Sequence, residues 1–401
     1  MKVGILTQYY PPETGAPQAR LSDLAAVLRD RGHSVTVLTA MPNYPFGKVL
    51  DGYGGFFRRD HRDGVAVLRT WISPSQSPRF LPRTLSYLSF TASAAAVGAF
   101  CLPQLDVLIT ESPPLPLGLT GFLLSRLRRA RWVLNVSDLW PESPITLGIL
   151  RPGVGAWAAF RLEAFCYRRA WRVSGQTAEI RANIRRRFFD VPVLDFSAGA
   201  DTDRFHPSRR DRELRRRLFG DSSVVAVYAG LHGIAQGLDQ LVDAAALLAH
   251  RTDLTLVFVG DGPVRHELEA AAARRGLSNV RFAGAQPSSL MPSLLASADI
   301  ALVPVRKGIQ AVPSKLFEAM ASGVPVVLAA EGDVVELVES AGAGLAVEPG
   351  DVRGLARALE ALARSPEQRS RLGAAGRRLV VERYDRKAIC GRFIDALEVR
   401  D

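Results

Sequence analysis

Residues 303–328 read VPVRKGIQAVPSKLFEAMASGVPVVL, and this stretch decides the fold of the chain. An apolar run ends at Pro304, a polar loop follows, and a helix-like segment runs from Ser314 until Gly323 ends it. A second, β-branched run comes next. This order of strand, loop, helix and strand is typical of an open parallel α/β sheet. Ligands of such sheets bind just outside the carboxyl ends of the strands, so the loop before Ser314 lies where a ligand is expected.

The same alternation continues through all 401 residues. A chain of this length, about twice the usual domain size, is expected to form two domains. In the first half we predict strands at Lys2–Thr7, Ser34–Thr39, Val65–Trp71, Val107–Thr110, Trp132–Ser137 and Arg172–Gly175. In the second half we predict them at Val224–Tyr228, Thr255–Val259, Val280–Ala283, Ile300–Pro304, Pro325–Leu328 and Leu345–Val347. The predicted fold is α/β, with two facing doubly wound, Rossmann-like domains and a cleft between them.

A polar stretch near Asp195–Pro207 interrupts the apolar pattern and marks the predicted domain boundary. We therefore predict an amino-terminal domain over residues 1–195 and a carboxyl-terminal domain over residues 196–376. A closing helix over residues 377–401 is expected to cross back to the first domain.

Composition indicates a soluble globular protein, because 47% of the residues are apolar and 23% are charged. The three cysteines, Cys101, Cys166 and Cys390, have neither the spacing of a disulfide framework nor that of a metal site. We therefore expect a reduced, cytoplasmic protein without a signal peptide.

The net charge of +11 is concentrated in one half of the chain. Residues 1–195 hold 24 Lys and Arg against 14 Asp and Glu, whereas residues 196–401 hold 27 against 26. A basic half favours an anionic partner such as nucleic acid, acidic lipid or a phosphorylated substrate. Nucleic acid is disfavoured because no basic motif with interleaved aromatic residues accompanies the charge.

One segment, LSYLSFTASAAAVGAFCL at residues 85–102, contains no charge over eighteen residues. We favour a buried helix of an α/β domain, which this length allows. A helix in the membrane interface, close to the basic Arg79 and Arg83, is the second interpretation. A transmembrane span is the third.

The loop and helix around Ser314 have the features of an anion site. Ser314 is expected to be the N-cap residue, so that free backbone N–H groups point towards the carboxyl edge of the sheet. Lys315 adds a positive charge, and Glu318 lies one turn further along, where a carboxylate suits the two adjacent hydroxyls of a ribose. A surface glutamate matched to the helix dipole, or a local Lys–Glu ion pair, would show the same spacing.

The stretch VPSKLFEAMASGVPVV resembles the donor-binding signature of the retaining glycosyltransferases of family 4, which have the two-domain GT-B fold. Further resemblance lies in ILTQYYPPETGAPQARLSDLAAVLRDRGHSVTVLT, AGADTDRFHP, YAGLHGIAQGLDQLVDAA, VFVGDGPVRHELEAAA and NVRFAGAQP, which follow the family's order along the chain. The branch that it resembles most makes bacterial surface polysaccharides of the O-antigen, capsule and colanic-acid type.

The resemblance implies roles for single residues. Glu318 matches the second glutamate of the family's E-x7-E motif, which holds the donor ribose. The first glutamate falls on Gln310, whose amide can still form hydrogen bonds with sugar hydroxyls. The Arg and Lys that bind the pyrophosphate in many members fall on Leu231 and Gln236.

The charge that those two positions lack must then come from other residues. Lys315, the helix start at Ser314 and Arg306 are the candidates, with His232 as a further hydrogen-bond donor. The complete predicted donor set is Gly15, His232, Gln236, Arg306, Ser314, Lys315, Leu316 and Glu318, with Asp261 and Gly262 in the base pocket.

The first domain is expected to receive the acceptor. Gly15 lies in the first βα loop, where a missing Cβ lets N–H groups approach a phosphate, and Glu13 and Arg20 are neighbouring candidates. Asp138 follows a strand and, with Glu142 and Gln310, makes up the predicted catalytic set. Its carboxylate would orient the acceptor or stabilise an oxocarbenium-like transition state, although an N-cap of a short turn fits as well.

No metal or other cofactor is expected. Asp201 and Asp203 form a D-x-D, which holds a divalent metal in a different glycosyltransferase fold. Here the motif lies in the interdomain stretch, where a turn is the better interpretation.

The expected activity is transfer of a sugar from a nucleotide-diphospho-sugar, for instance a UDP-N-acetylhexosamine, with retention of configuration. The acceptor would be a hydroxyl of a glycan or of a polyprenyl-pyrophosphate-linked glycan, reached from the inner face of the cytoplasmic membrane. A nucleotide-sugar 2-epimerase of the same fold is one alternative, and the cleft motifs are poor in the carboxylates and histidines that it needs. A non-catalytic family member on an anionic membrane is the other, because Leu231, Gln236 and Gln310 depart from the pattern.

Overall fold

The computed structural model describes residues 1–44, 47–75, 80–146, 148–309 and 312–399. It divides the chain into two compact units. The amino-terminal unit contains Met1–Ser197 together with Lys387–Asp401, and the carboxyl-terminal unit contains Ala198–Arg386.

The amino-terminal unit is built on an eight-stranded sheet. Its strands are β1 (Lys2–Leu6), β2 (Ser34–Ala40), β3 (Phe57–Arg62), β4 (Val65–Thr70), β5 (Val107–Ser112), β6 (Arg131–Val136), β7 (Arg172–Gly175) and β8 (Val193–Asp195). They lie in the order β3-β4-β2-β1-β5-β6-β7-β8. Neighbouring strands are parallel, except that β3 is antiparallel to β4.

Helices follow the strands in the usual α/β alternation. They are α1 (Ala16–Asp30), α2 (Phe80–Cys101), α3 (Leu117–Arg128), α4 (Glu142–Thr146), α5 (Val154–Arg169) and α6 (Ala178–Arg187). Central strands such as β5 are buried at every position, because helices cover both faces of a parallel sheet. Helix α1 packs over one face, and α2, α3, α5 and α6 pack over the other.

The carboxyl-terminal unit has a six-stranded parallel sheet. Its strands are β9 (Val224–Ala229), β10 (Leu254–Val259), β11 (Val280–Gly284), β12 (Ile300–Pro304), β13 (Val326–Ala329) and β14 (Gly344–Val347), in the order β11-β10-β9-β12-β13-β14. Its helices are α7 (Arg212–Phe219), α8 (Asp239–Leu247), α9 (Arg265–Arg274), α10 (Met291–Ala296), α11 (Ser314–Ala321), α12 (Asp333–Ser340), α13 (Val352–Arg364) and α14 (Pro366–Arg383). The strand order reverses between β9 and β12, so the loops after these strands flank the switch point where such sheets bind ligands.

The predicted closing helix is wrong as a single element. The structure has two helices there, α14 and α15 (Arg386–Glu398), and the chain rejoins the first unit at Lys387 rather than at residue 377. The backbone leaves the helix at Tyr384, whose carbonyl accepts a hydrogen bond from the N–H of Ala200, while the carbonyl of Ala200 accepts from Arg386. Helix α15 then packs beside α1, and Phe393 stacks on Phe196 at a centroid distance of 4.5 Å.

Helix α2 contains the uncharged segment that the sequence singled out. Within it, Leu81–Cys101 has the length and a mean hydropathy, 1.3, that would allow a membrane span by length and composition alone. Only 39% of its most apolar window is buried. The buried side belongs to the core through Phe90, Ala94 and Val97, so one face of α2 is a core face and the other is exposed.

Candidate functional site

The loops that follow β9 and β10 pack backbone against backbone. The N–H of His232 donates to the carbonyl of Asp261 at 2.9 Å. A Cβ added to Gly260 would lie 1.9 Å from the carbonyl oxygen of Gly230, and one added to Gly262 would lie 2.4 Å from that of His232. Both glycines also have positive φ. Only glycine fits at these two positions, and this contact fixes the shape of the loop edge.

Lys315 lies over this edge. Its Nζ donates a hydrogen bond to the Tyr228 hydroxyl at 2.7 Å and lies 4.1 Å from the centroid of that ring. A Cβ on Gly230 would come within 2.7 Å of the same Nζ. Burial lowers the pKa of Lys315 to about 7, against a smaller opposing effect of the Glu318 carboxylate. A side chain that loses hydration in this way gains most from an anion placed beside it.

His232 is fully buried beside Lys315, and neither of its ring nitrogens has a hydrogen-bond partner in the described part of the chain. The ring packs against Tyr228 and Phe258, with centroids 5.8 and 6.2 Å away. Burial, followed by the charge of Arg265, lowers the pKa of His232 to about 4. The imidazole is therefore neutral near pH 7 and carries one N–H donor and one acceptor. Because buried polar groups are seldom left unpaired, this ring indicates a place for a ligand or a bound water.

The predicted N-cap of helix α11 is wrong. Pro313, not Ser314, occupies the N-cap position, and no side chain caps the helix; Ser314 is its first residue. The side chain of Leu316 is fully buried in the core, and its place in the donor set stays a prediction. In the pattern S-K-L-F-E, Leu316 and Phe317 are buried, whereas Lys315 and Glu318 are half-buried and close enough for the Glu318 carboxylate to affect the pKa of Lys315.

The other predicted donor residues lie around the same loops. Arg306 donates from Nε to the carbonyl of Ile234 at 2.8 Å, and its Nη2 lies 3.2 Å from Asp239. Its guanidinium thus ties the β9–α8 loop to the β12 loop. The Oε1 atom of Gln236, in the first of these loops, has no hydrogen-bond partner among the residues described. Gln310 lies outside the described residues.

The proposed base-pocket residues form a turn. Asp261 is exposed, accepts a hydrogen bond from the N–H of Gly262 at 2.7 Å and lies 3.6 Å from Arg265. The carboxylate is therefore accessible, while Gly262 is required by the backbone contact described above.

In the amino-terminal unit, Asp138 lies beyond the carboxyl end of β6. It accepts a hydrogen bond from the Ser143 hydroxyl at the start of α4. Burial raises the pKa of Asp138, and the hydrogen bonds of Ser143 and of the Leu139 N–H, followed by the charge of Arg83, oppose that rise.

The sequence analysis named Arg83 only beside a possible membrane-interface helix and did not connect Arg83 or Tyr87 with Asp138. Arg83 donates from Nε to the Tyr87 hydroxyl at 2.7 Å, and Tyr87 meets Trp140 edge to face at 6.5 Å. The Arg-x-x-x-Tyr spacing, one helical turn, was the available signal.

Glu142 does not join this cluster. Its carboxylate accepts from Arg187 at 2.9 Å and from Asn183 at 3.1 Å, both on α6. Arg187 also binds the fully buried Glu163. Arg187 thus holds this carboxylate against α6, and the catalytic role of Glu142 stays a prediction.

Two polar residues near Gly15 are also buried and structural. Glu13 accepts hydrogen bonds from the N–H groups of Tyr10, Asn43 and Tyr44. Arg20 is 4% exposed. It donates to Glu111 at 2.5 Å and to Ser137 at 2.6 Å, which joins the ends of β5 and β6.

Gly15 itself is the N-cap residue of α1, with an extended φ of 168°. A Cβ there would lie 2.5 Å from Oε1 of the buried Gln18, whose oxygen has no partner among the described residues. The group that approaches Gly15 most closely is therefore the side chain of Gln18.

Within the described ranges, no group of three or more His, Cys, Asp or Glu side chains is placed to hold a metal ion. The carboxylate of Asp201 accepts hydrogen bonds from the N–H groups of Asp203 and Arg204, so this motif forms a turn.

Comparison with known proteins agrees with both units. Residues 15–196 match the family model of the glycosyl transferase 4-like domain, and residues 210–379 match that of glycosyl transferases group 1. The Escherichia coli (strain K12) protein WcaI, named as a colanic acid biosynthesis glycosyl transferase, is 29% identical over 88% of this chain and 90% of its own. A GDP-mannose-dependent alpha-(1-6)-phosphatidylinositol monomannoside mannosyltransferase of Mycolicibacterium smegmatis is 30% identical, over 69% of this chain and 80% of its own.

Among solved structures, Anabaena Alr3699/HepE in complex with UDP superposes with a TM-score of 0.73 at 21% identity, over 99% of both chains. The two Rossmann-like units have the GT-B fold, and the family models and relatives make the chain a glycosyltransferase of glycan biosynthesis. The chain belongs to glycosyltransferase family 4, in its polysaccharide-forming branch, as the sequence predicted.

The low pKa of Lys315 predicts how donor affinity depends on pH. The charge of UDP-glucose is constant near neutrality, so the pH dependence of its affinity should come from the titration of Lys315. The affinity should fall about tenfold between about pH 6 and about pH 9, because Nζ loses its proton and its charge. His232, already neutral, should not contribute. Calorimetry across this range checks the prediction. Lys315→Met should bind weakly with a flat profile, and Lys315→Arg should keep its affinity at high pH. A flat wild-type profile would contradict the role of Lys315.

Proposed function

We propose that this protein is a retaining glycosyltransferase that uses a UDP-sugar, for instance a UDP-N-acetylhexosamine, without a metal ion. The observation that carries the proposal is that Lys315 and His232 lie close together just beyond the carboxyl end of β9. A partly desolvated ammonium and an unpartnered neutral imidazole suit a diphosphate, which offers many acceptor oxygens to both. The UDP complex of HepE supports uridine as the nucleoside, while the mannosyltransferase relative depends on GDP-mannose.

In this proposal the carboxyl-terminal unit binds the donor. Glu318 holds the ribose hydroxyls, and Lys315 and His232 stabilise the charge that grows on the diphosphate as it leaves. The bond between the anomeric carbon and the β-phosphate oxygen breaks. The acceptor oxygen forms its bond on the same face of the sugar, and its proton passes to the leaving phosphate.

The acceptor is assigned to the amino-terminal unit. We propose a glycan hydroxyl, carried on a polyprenyl pyrophosphate and reached from the inner face of the cytoplasmic membrane. Asp138 would orient that hydroxyl. The half-buried Trp140, which packs against Tyr87, offers an aromatic surface to a sugar ring, and Arg83 offers a charge to a phosphate.

A thermal-shift panel of UDP, GDP, ADP and TDP, with and without EDTA, tests the donor assignment. We expect a shift that is selective for UDP and that EDTA does not alter. Selectivity for GDP would overturn the choice of uridine, and loss of the shift with EDTA would overturn the metal-free site. No shift with any nucleotide would favour a non-catalytic family member.

Glu318→Ala should weaken UDP binding by about 1.5–3 kcal/mol, the scale of a hydrogen bond to a charged group, or roughly 10- to 150-fold. Isothermal titration calorimetry measures this change. Glu336→Ala on α12 is a matched control for removing a helical carboxylate, and it should bind UDP as the wild type does. Equal affinities for Glu318→Ala and the wild type would remove the assignment.

Asp138→Asn should lower kcat by about 10²-fold or more, the scale of losing one charge that stabilises a transition state. UDP affinity should stay unchanged, because Asp138 lies in the other unit. The measurement is UDP release with a lipid-linked acceptor, alongside calorimetry. Glu142→Gln is the comparison, and a larger loss of kcat for Glu142→Gln than for Asp138→Asn would reverse our assignment.

A further inference from the structure

Helix α2 exposes an apolar face opposite to the one that it buries. The exposed positions are Leu81, Leu85, Leu88, Ala92, Ala96 and Phe100, which recur at helical spacing. Leu81 is 66% exposed and Phe100 is 88% exposed. A surface helix normally carries charged or polar residues on its outer face, and a helix that is apolar all round is normally covered. The outer face of α2 therefore indicates a contact with something apolar.

Helix α3 extends this face. Leu119, Leu123 and Leu127 recur every fourth residue and are 46%, 46% and 49% exposed. The Thr120 hydroxyl donates to the carbonyl of Thr91 at 2.8 Å, and Arg128 donates to that of Ala99 at 2.7 Å. The two contacts are eight residues apart on both helices, so α2 and α3 run parallel and side by side. We call these nine exposed side chains the α2–α3 face.

Charge distinguishes between possible occupants of this face. Residues 64–105 and 112–137 contain no Asp or Glu. Arg126 and Arg129 are exposed at the end of α3, and Arg126 lies 5.3 Å from the Phe122 ring. An apolar face with a basic edge is the pattern of proteins that lie on anionic membranes. Pairing this face with itself would bring the same arginines together, and this repulsion disfavours a second copy of the chain as the occupant.

We propose that the α2–α3 face docks onto an anionic lipid bilayer, with its leucines in the interface and Arg126 and Arg129 at the headgroups. The helices would lie in the membrane plane, because the inner face of α2 remains in the core of its unit. The benefit of this docking for catalysis rests on the lipid-linked acceptor of the proposed function. An enzyme bound to the membrane surface meets such an acceptor directly.

Vesicle flotation tests the proposal. The full chain, without nucleotide, is mixed with vesicles of phosphatidylglycerol and phosphatidylethanolamine in equal parts, or of phosphatidylcholine alone. We expect binding to the anionic vesicles that weakens with salt. The combined variant Leu85→Gln, Leu88→Gln and Leu123→Gln should lower the partition coefficient by about tenfold or more. Arg126→Glu with Arg129→Glu should lower it on anionic vesicles only.

The matched control replaces exposed apolar side chains elsewhere, with Phe189→Ser, Leu247→Gln and Val381→Gln. It should float as the wild type does. Equal flotation of the leucine variant and the wild type, or no flotation at low salt, would overturn the proposal. Sedimentation could also overturn it. This would be so if the wild type forms a dimer, the leucine variant does not, and neither protein binds vesicles.

UDP calorimetry on each variant separates this proposal from the proposed function. The leucine variant should bind UDP like the wild type, because its changes lie in the other unit. This also shows that its donor-binding unit is folded, and circular dichroism checks the whole chain. Vesicle binding without UDP binding would keep the α2–α3 face and reject the donor site. UDP binding without vesicle binding would do the reverse.

Discussion

The contact between the loops after β9 and β10 is the constraint on which the candidate site of the carboxyl-terminal unit depends. Gly260 meets the carbonyl of Gly230, and Gly262 meets that of His232, at distances that no Cβ permits. Because the two backbones touch, there is no room for a Cβ at Gly260 or Gly262. The space above Gly230 is then filled from another element, by the Nζ of Lys315 on α11. The glycines thus fix both the loop edge and the position of its charge.

Under the proposed function, Lys315 takes the place of the two cations that the family resemblance leads one to expect after the first strand of this unit. Leu231 and Gln236 stand at those positions. Lys315 approaches the same edge from α11 and is held by the hydroxyl and ring of Tyr228. Desolvation makes its charged form costly without an anion, as the lowered pKa shows. A diphosphate that restores this charge recovers free energy that a hydrated surface lysine would not provide.

Much of the fold could be predicted from the apolar runs, since all twelve predicted strands are present. The misses have physical reasons. Strand β3 reads FRRDHR on an exposed antiparallel edge, and β8 has only three residues, so neither produces an apolar run. The break between α14 and α15 depends on a bridge to Ala200, nearly two hundred residues away in sequence. At the site, spacing correctly placed Lys315 and Glu318 on one side of α11. It could not show that Pro313 takes the cap position, or that Arg187 and Asn183 bind the carboxylate of Glu142.

Helix α2 shows where a sequence argument reaches its limit. Its composition was compatible with a core helix, an interfacial helix or a transmembrane helix, and the first and third of these assume that one environment surrounds the whole helix. The structure instead gives it two environments, with Phe90 and Val97 in the core and Leu85 and Leu88 exposed. Hydropathy averaged along the helix cannot separate these faces, because both are apolar. Only the sheet beneath α2 and the parallel α3 beside it show which residues lack a partner within the amino-terminal unit.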